Sequence, residues 1–568
     1  MTDQVNQQYR RWLEAETLSA AQREELAGLT DPAEINDRFY RTLEFGTAGL
    51  RGVMGMGLNR MNEYIIRQAT DGLAQVILEQ GMQQQGVCIC YDCRINSRFF
   101  AEEAAHILRV RGIPVRMFEE CRPTPQLSYA VRYFHAAAGI NVTASHNPKI
   151  YNGYKVYWQG GAQLPPEKAA KVAAKMEQID PLAPRPESDH PAALTWLGKD
   201  FDEAYIKAVI SCAPAPEYLA QAEDFAVVYS AFHGVGGFIV PEVMKRCGLK
   251  QFYPVPEQLA PDGTFPTVLS PNPEEPKGFA MAIALAKQKN ADFIVGTDPD
   301  SDRVGMVVRD RKGEYIPVSG NRTGVLLMNY ILTMRGKKGT MPAHPCVIKT
   351  IVTTDLARRV AERHGAVCYN TFTGFKFMAE KVAELEQEGT RSYLMAYEES
   401  FGYMVGDHAR DKDGVVASML LCEMAAWYHS RGMTVLEGLD EIAAAYGAYG
   451  ERTLSVMLPG EDGMHRMAYI MNTLRKNAPA AWGGIPVDCW RDYLTGERRL
   501  PEGVEPTEIK GSNVLYYELE TGETLVIRPS GTEPKIKLYA LMRGETMAEA
   551  DARADALAQA VEQAILAL

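Results

Sequence analysis

The strongest constraint on how this chain folds is a repeated alternation of short apolar runs with stretches that carry the spacing of amphipathic helices. The runs in the first part are Gly86–Asp92, Val115–Glu119, Gly139–Ser145 and Tyr154–Trp158. A second set comprises Phe225–Phe232, Ala291–Thr297 and Gly305–Arg309, and a third Cys346–Thr353, Val367–Thr371 and Tyr393–Tyr397. Runs of strand length separated by helical patterns mark layered α/β structure. Three successive α/β units are therefore expected.

The last part reads differently. Asn513–Glu518, Leu525–Pro529 and Lys535–Met542 are adjacent strand-like runs, and the Ala-rich segment Met547–Leu568 is one closing helix, so a smaller α+β domain is expected there. At 568 residues the chain is too long for one core, and roughly 150 residues per domain suggests four. The boundaries expected are 1–212, 213–322, 323–447 and 448–568. The first forty residues form an amphipathic helical lead in which Tyr9, Trp12 and Leu13 share a face, with Asp31-Pro32 as a break and restart.

A net charge of −12 gives no overall attraction to nucleic acid or to anionic membranes, so an anionic ligand must be held by local basic residues. No apolar run approaches a membrane span and the polar start lacks a signal-peptide core, which makes a cytoplasmic protein the expectation. The ten cysteines form no regular framework and are expected to be reduced thiols. Cys90 and Cys93 make the one C-x-x-C. With no second Cys or His pair at zinc spacing, they read as strand-end thiols.

Four loops that follow apolar runs carry the chemistry, as expected where ligands bind beyond the carboxyl ends of strands in open α/β sheets. Thr143-Ala144-Ser145-His146-Asn147-Pro148 places a serine at a strand end; the same residues also suit a plain polar turn. Thr297-Asp298-Pro299-Asp300-Ser301-Asp302-Arg303 gathers three carboxylates at alternate positions, a costly arrangement without a cation, and hard oxygen donors suit Mg²⁺. A calcium loop is excluded, because its sixth and twelfth positions hold Arg303 and Arg309. Tyr397-Glu398-Glu399-Ser400-Phe401-Gly402 sets Glu398 and Ser400 at same-side spacing, suited to sugar hydroxyls. Arg528-Pro529-Ser530-Gly531-Thr532-Glu533-Pro534 has the parts of a phosphate cradle without a Walker lysine.

Taken in this order, the four loops resemble the α-D-phosphohexomutase family over nearly the whole chain. Gly46-Thr47-Ala48-Gly49-Leu50-Arg51-Gly52 and Tyr91-Asp92-Cys93-Arg94 are similar to two further signatures of that family. Gly374-Phe375-Lys376-Phe377 and Arg410-Asp411-Lys412-Asp413-Gly414 resemble its longer phosphoglucomutase and phosphopentomutase branch. The resemblance implies four domains around a central cleft, the first three alike. It also implies a phosphorylated Ser145 and one Mg²⁺ held by Ser145, Asp298, Asp300 and Asp302. Arg51 and Arg303 are then expected on the transferring phosphate, and Thr373, Gly374, Glu398, Ser400 and Lys412 on the sugar. Arg528, Ser530, Gly531 and Thr532 are expected on the remote phosphate. Lys412, Lys155 and His146 are candidates for proton transfer, with Lys376 a competitor, and Arg51 joins Ser145 in the catalytic set.

The activity so implied interconverts α-D-glucose 1-phosphate and glucose 6-phosphate, with glucose 1,6-bisphosphate as intermediate and activator. Phosphopentomutase and glucose 1,6-bisphosphate synthase are the nearest alternatives. A metal phosphatase would leave Ser145 and the Glu398 loop without a purpose, and a non-catalytic phosphosugar-binding protein would not need both Ser145 and the three aspartates. The expected partner is a small phosphosugar, with no nucleic acid and no membrane; the oligomeric state is open.

Overall fold

The computed structural model describes residues 2–46, 49–459, 462–531 and 534–568. These fall into two compact units, Met1–Ala343 with Phe375–Val435 and His344–Gly374 with Leu436–Leu568.

The first unit begins with three helices, Asp3–Leu13, Ala20–Ala27 and Pro32–Phe39. Asp31 caps the third by accepting from Ala33 N, with Pro32 at its first position, which is the restart that the sequence implies. Trp12 packs edge to face against Phe39 and Tyr64 and seals the lead onto the unit.

The first sheet contains β1 (Gly49–Val53), β2 (Val87–Tyr91), β3 (Val115–Phe118), β4 (Ala138–Val142), β5 (Tyr151–Trp158) and β6 (Leu194–Leu197), in the order β1-β5-β4-β2-β3-β6. β2, β3, β4 and β6 run parallel, while β5 and β1 are antiparallel additions. Residues of β2 and β4 are buried throughout, as strands covered on both faces must be, so each reads as a continuous apolar run. On β5, Tyr154, Val156 and Trp158 enter one core while Tyr157 enters the core on the opposite face. β1 was legible only as a glycine-bearing signature, because two glycines in five residues carry little strand propensity. Gly49 itself has a φ of 137°, and a Cβ there would lie 1.8 Å from the Tyr154 carbonyl oxygen, so the strand cannot approach β5 with any other residue.

A second sheet contains β7 (Ala226–Ser230), β8 (Gln251–Pro254), β9 (Phe293–Thr297), β10 (Val304–Arg309) and β11 (Tyr315–Val318), ordered β11-β10-β9-β7-β8. Here β8, β7 and β9 are parallel and β10 and β11 complete an antiparallel meander. The unit also contains the antiparallel hairpin Ser392–Glu398 with Gly402–Val405, and the buried helix Gly414–Ser430.

The second unit contributes a parallel pair, Pro345–Thr350 with Val367–Thr371. It also holds a C-terminal antiparallel sheet whose longest partners, Ala448–Met457 and Lys535–Gly544, pair along their whole length. Thr524–Pro529, Leu515–Leu519, Ile485–Asp492, Glu497–Leu500 and Gly503–Pro506 follow outward in that order. The helices Gly463–Lys476 and Met547–Leu566 supply Ile470, Leu474, Leu557 and Val561 to its core. The sheet is larger than the three runs foreseen. The outer strands are polar, ERRL largely half-buried and GVEP exposed, so they carry no apolar alternation.

All ten cysteines are free, and Cys93 donates to the His233 carbonyl at 3.1 Å. Among the described residues, no helix is long and apolar enough to cross a membrane.

Candidate active site

Ser145 stands three residues beyond the end of β4, in the left-handed region with a φ of 52°. A non-glycine residue there needs outside support. Two groups supply it. Thr143 Oγ1 accepts from Ser145 N at 2.9 Å and donates to Asp92 Oδ2 at 2.6 Å. Arg94, buried, spreads its guanidinium under the loop, donating to the carbonyl oxygens of Ser145 at 2.6 Å, Pro148 at 3.0 Å and Tyr151 at 3.1 Å, and also to that of Asn147. Asp92 Oδ2 lies 3.3 Å from Arg94 Nε. Asp92 and Arg94 entered the sequence analysis only as a signature; their contacts give them the task of shaping the serine loop.

The serine hydroxyl meets the second loop. Ser145 Oγ donates to Asp298 Oδ2 at 2.7 Å and lies 3.1 Å from His146 Nδ1. Asp298, Asp300 and Asp302 are all buried, and each offers an oxygen to one group within 4.8 Å. Asp298 follows β9, and its Oδ1 accepts from Asp302 N at 3.1 Å and Arg303 N at 2.9 Å, which folds the loop back on itself. Asp300 Oδ2 accepts from Thr124 Oγ1 at 2.9 Å and from Lys155 Nζ at 2.9 Å. Lys412 Nζ lies 3.0 Å from Asp302 Oδ2. Two ammonium groups thus face three carboxylates, and among the described residues Asp300 Oδ1 and Asp302 Oδ1 are buried with no hydrogen-bond donor. Three buried carboxylates converging on one point with idle oxygens make the cluster a candidate metal site.

The charges bear this out. Burial and the neighbouring Asp300 and Asp302 push Asp298 well above the usual carboxylate range. Burial also opposes the charge on Asp300, but Lys155 and the hydrogen bonds from Asp298 and Thr124 together outweigh it and hold that carboxyl below its ordinary value. Lys155 and Lys412 both keep their protons more firmly than an ordinary lysine: burial works against the charge, and Asp300 with Asp302 in one case and Asp302 with Asp411 in the other together overcome it. His146 is pushed well below its usual value by burial and by Arg303 and Arg51. Lys376 Nζ stands over the Phe377 ring at 4.7 Å.

The third loop is joined to the second by backbone. Val304 N donates to the Phe401 carbonyl at 3.1 Å, Gly402 bridges Arg303, and Gly414 N donates to the Ser301 carbonyl at 3.0 Å. Ser400 Oγ donates to Glu398 Oε2 at 3.1 Å, and the pair meets across the turn that joins Ser392–Glu398 to Gly402–Val405 rather than along an extended segment. Arg303 is ion-paired with Glu274, a residue that the sequence analysis did not single out. Arg51 Nη1 donates to Asn147 Oδ1 at 3.3 Å.

In the second unit, Thr373 and Gly374 follow the strand Val367–Thr371, and Gly374 has a φ of 114°. Arg528 sits near the end of Thr524–Pro529, and Ser530 N donates to the Lys535 carbonyl at 2.9 Å, closing the turn that holds Gly531. Thr532 lies outside the described residues.

Comparison with known proteins places these loops in a family. Residues 42–183, 203–313 and 319–446 match the models for α/β/α domains I, II and III of phosphoglucomutase/phosphomannomutase. The phosphoglucomutase of Staphylococcus haemolyticus is 36% identical over 504 residues, 88% of this chain and 90% of that protein. That of Staphylococcus aureus is 34% identical over 519 residues, 90% and 91% of the two chains. The chain belongs to the α-D-phosphohexomutase family. Among solved structures, a phosphoglucomutase/phosphomannomutase family protein from Burkholderia thailandensis superposes with a TM-score of 0.65 at 19% identity, covering 92% of this chain and 97% of that one. Parafusin, a phosphoglucomutase from Paramecium, does so with a TM-score of 0.66 at 17% identity, covering 92% and 94%. At these identities the structures speak for the fold alone: three α/β domains followed by a C-terminal antiparallel-sheet domain.

Proposed function

We propose that the chain is a phosphoglucomutase that interconverts α-D-glucose 1-phosphate and D-glucose 6-phosphate through a phosphorylated Ser145 and glucose 1,6-bisphosphate. The observation that carries this is the Ser145 hydroxyl 2.7 Å from Asp298 Oδ2, at the mouth of the three-carboxylate cluster. The relatives named above, similar over about nine-tenths of their length, support glucose as the sugar.

In this reading Asp298, Asp300, Asp302 and Ser145 hold one Mg²⁺. Bound there, the ion supplies the positive charge and the template that phosphoryl transfer requires. The chain's own residues do the rest. Arg94, Thr143 and Asp92 hold Ser145 in its strained conformation, so that its oxygen is presented without reorganisation. The left-handed φ at Ser145 is the strain that their contacts maintain. Arg51 and Arg303 hold the transferring phosphate, and the Glu274 ion pair occupies Nη1 of Arg303 alone. Glu398, Ser400, Thr373 and Gly374 hold the sugar, and Arg528, Ser530, Gly531 and Thr532 hold the phosphate that is not reacting. Lys412 and Lys155 keep their protons at Nζ against Asp302 and Asp300. They balance charge as the phosphoryl group moves, the role that a firmly held proton suits. His146 Nδ1, 3.1 Å from Ser145 Oγ, is the nearest nitrogen acceptor for the serine proton.

The test is turnover of glucose 1-phosphate with Mg²⁺ and catalytic glucose 1,6-bisphosphate, beside ribose, deoxyribose and mannose 1-phosphates. Glucose turns over fastest under this proposal. A pentose preference refutes the substrate, and release of inorganic phosphate at the rate of sugar consumption refutes the mutase reaction.

A further inference from the structure

Lys412 lies on a loop, and a four-carbon side chain on a loop has to be told where to put its charge. Its Nζ is 3.0 Å from Asp302 Oδ2 and 3.2 Å from Asp411 Oδ1. Asp411, fully buried, faces two ways. Its Oδ1 accepts from Lys412 N at 2.8 Å, while its Oδ2 accepts from Tyr157 OH at 2.7 Å and Gln163 Nε2 at 2.8 Å. Tyr157 is itself fully buried on β5, two residues from Lys155, and Gln163 bridges back to it across the turn. One face of β5 therefore serves both lysines: Lys155 reaches Asp300 directly, and Tyr157 reaches the Lys412 loop through Asp411.

The rest of the loop is tied down independently. Arg410 N donates to Ser128 Oγ at 2.8 Å. Asp413 caps the helix Gly414–Ser430 by accepting from Val415 N and Val416 N, and is gripped in turn by Tyr205 OH at 2.9 Å and His408 Nε2 at 2.8 Å. Those anchors fix the backbone on either side and leave the Asp411 carboxylate to be held by the Lys412 N–H at Oδ1 and by Tyr157 and Gln163 at Oδ2.

We propose that Tyr157 and Gln163 are positioning residues for phosphoryl transfer, which fix the Lys412 ammonium on the carboxylate cluster by saturating the far oxygen of Asp411. The proposal rests on the reading of Lys412 given above. With Oδ2 occupied by two donors, Oδ1 has one orientation available, toward Lys412. Without them only the Lys412 N–H holds the carboxylate, and the weaker hold loosens one of the two ion pairs of Lys412.

The test is a double-mutant cycle with Tyr157→Phe, which removes one hydroxyl and keeps the ring, and Lys412→Ala, each alone and combined. Glucose 1-phosphate turnover and thermal midpoints are measured for all. Tyr157→Phe is expected to lower kcat about tenfold, the scale of one hydrogen bond to a charged group, with KM changed less than about twofold. In the Lys412→Ala background the same change has no further effect, because what it positions is gone. An equal loss in both backgrounds, or unchanged kcat in Tyr157→Phe alone, overturns the proposal. Full activity in Lys412→Ala overturns the role of Lys412 and the proposal with it, while leaving the phosphoserine reading intact. If Tyr157→Phe does not fold, Gln163→Leu runs the same cycle with the same expected outcomes.

Discussion

Replacing Arg94 with lysine should disable the serine loop while leaving every residue proposed to touch substrate in place. The guanidinium serves the carbonyl oxygens of Ser145, Asn147, Pro148 and Tyr151 from two amino groups and sets its third nitrogen against Asp92. A lysine ammonium entering from the same Cα keeps the charge, but it is one point where the guanidinium is a planar fork. Its three N–H groups radiate from a single nitrogen that can stand in for one amino group but not for both, so the two buried carbonyls served by the other lose a charged donor. At about 1.5–3 kcal/mol for each such bond, roughly 3–6 kcal/mol of support is withdrawn from a loop whose central residue is held in the left-handed region. If only half of that sum appears in the placement of Ser145 Oγ, kcat falls by at least about tenfold, and the full amount gives more than a hundredfold. The assay is steady-state turnover of glucose 1-phosphate together with the rate at which Ser145 takes up phosphate from glucose 1,6-bisphosphate. Both should fall together, with KM little changed. A variant with kcat within about twofold of the parent would refute the claim that Arg94 sets the serine geometry.

Three further outcomes follow from the same account. Glu423 is fully buried, accepts from Tyr330 OH at 2.8 Å and Ala215 N at 2.9 Å, and is pushed by burial up to about 7. A carboxyl raised on folding contributes its stability below its unfolded value near 4.5 and loses it as pH rises through about 7, a swing of about 3 kcal/mol. The thermal midpoint should therefore decline over that range in the parent, and Glu423→Gln should remove that part of the decline; identical profiles would refute it. Arg528→Met should raise KM for glucose 1-phosphate more than it lowers kcat, since the phosphate it is proposed to hold is not the one reacting; an unchanged KM counts against the cradle. Chelation of divalent ions should abolish turnover and Mg²⁺ should restore it, whereas full activity in excess chelator would remove the metal from the Asp298 cluster.

What the sequence made legible was chemistry at strand ends. The runs leading to Thr143 and Thr297 are continuous and apolar because their strands are covered on both faces, so the polar residues that interrupt them stand out. Ser145 and the three aspartates were found that way, and the structure brings them into contact. The support beneath them was not legible. Arg94 acts on backbone carbonyls some fifty residues ahead, and a carbonyl has no side-chain signature. Tyr157 looked like one more aromatic in an apolar strand, because nothing local says that its hydroxyl meets Asp411 across 254 residues. Lys155 and Lys412 were recognised as candidates, yet only their placement against Asp300 and Asp302 shows that both are bound to carboxylates that favour the charged form. The polar outer strands of the C-terminal sheet stayed hidden because neither of their faces is buried.

The central claim is that Ser145 carries the phosphoryl group. Incubating the protein with glucose 1,6-bisphosphate, removing the sugar, and locating the added phosphoryl group by peptide mass spectrometry tests it most directly. The account predicts stoichiometric modification at Ser145, discharged by glucose 1-phosphate or glucose 6-phosphate and absent in Ser145→Ala, which loses turnover with it. Modification at another residue, or undiminished mutase turnover in Ser145→Ala, would contradict it.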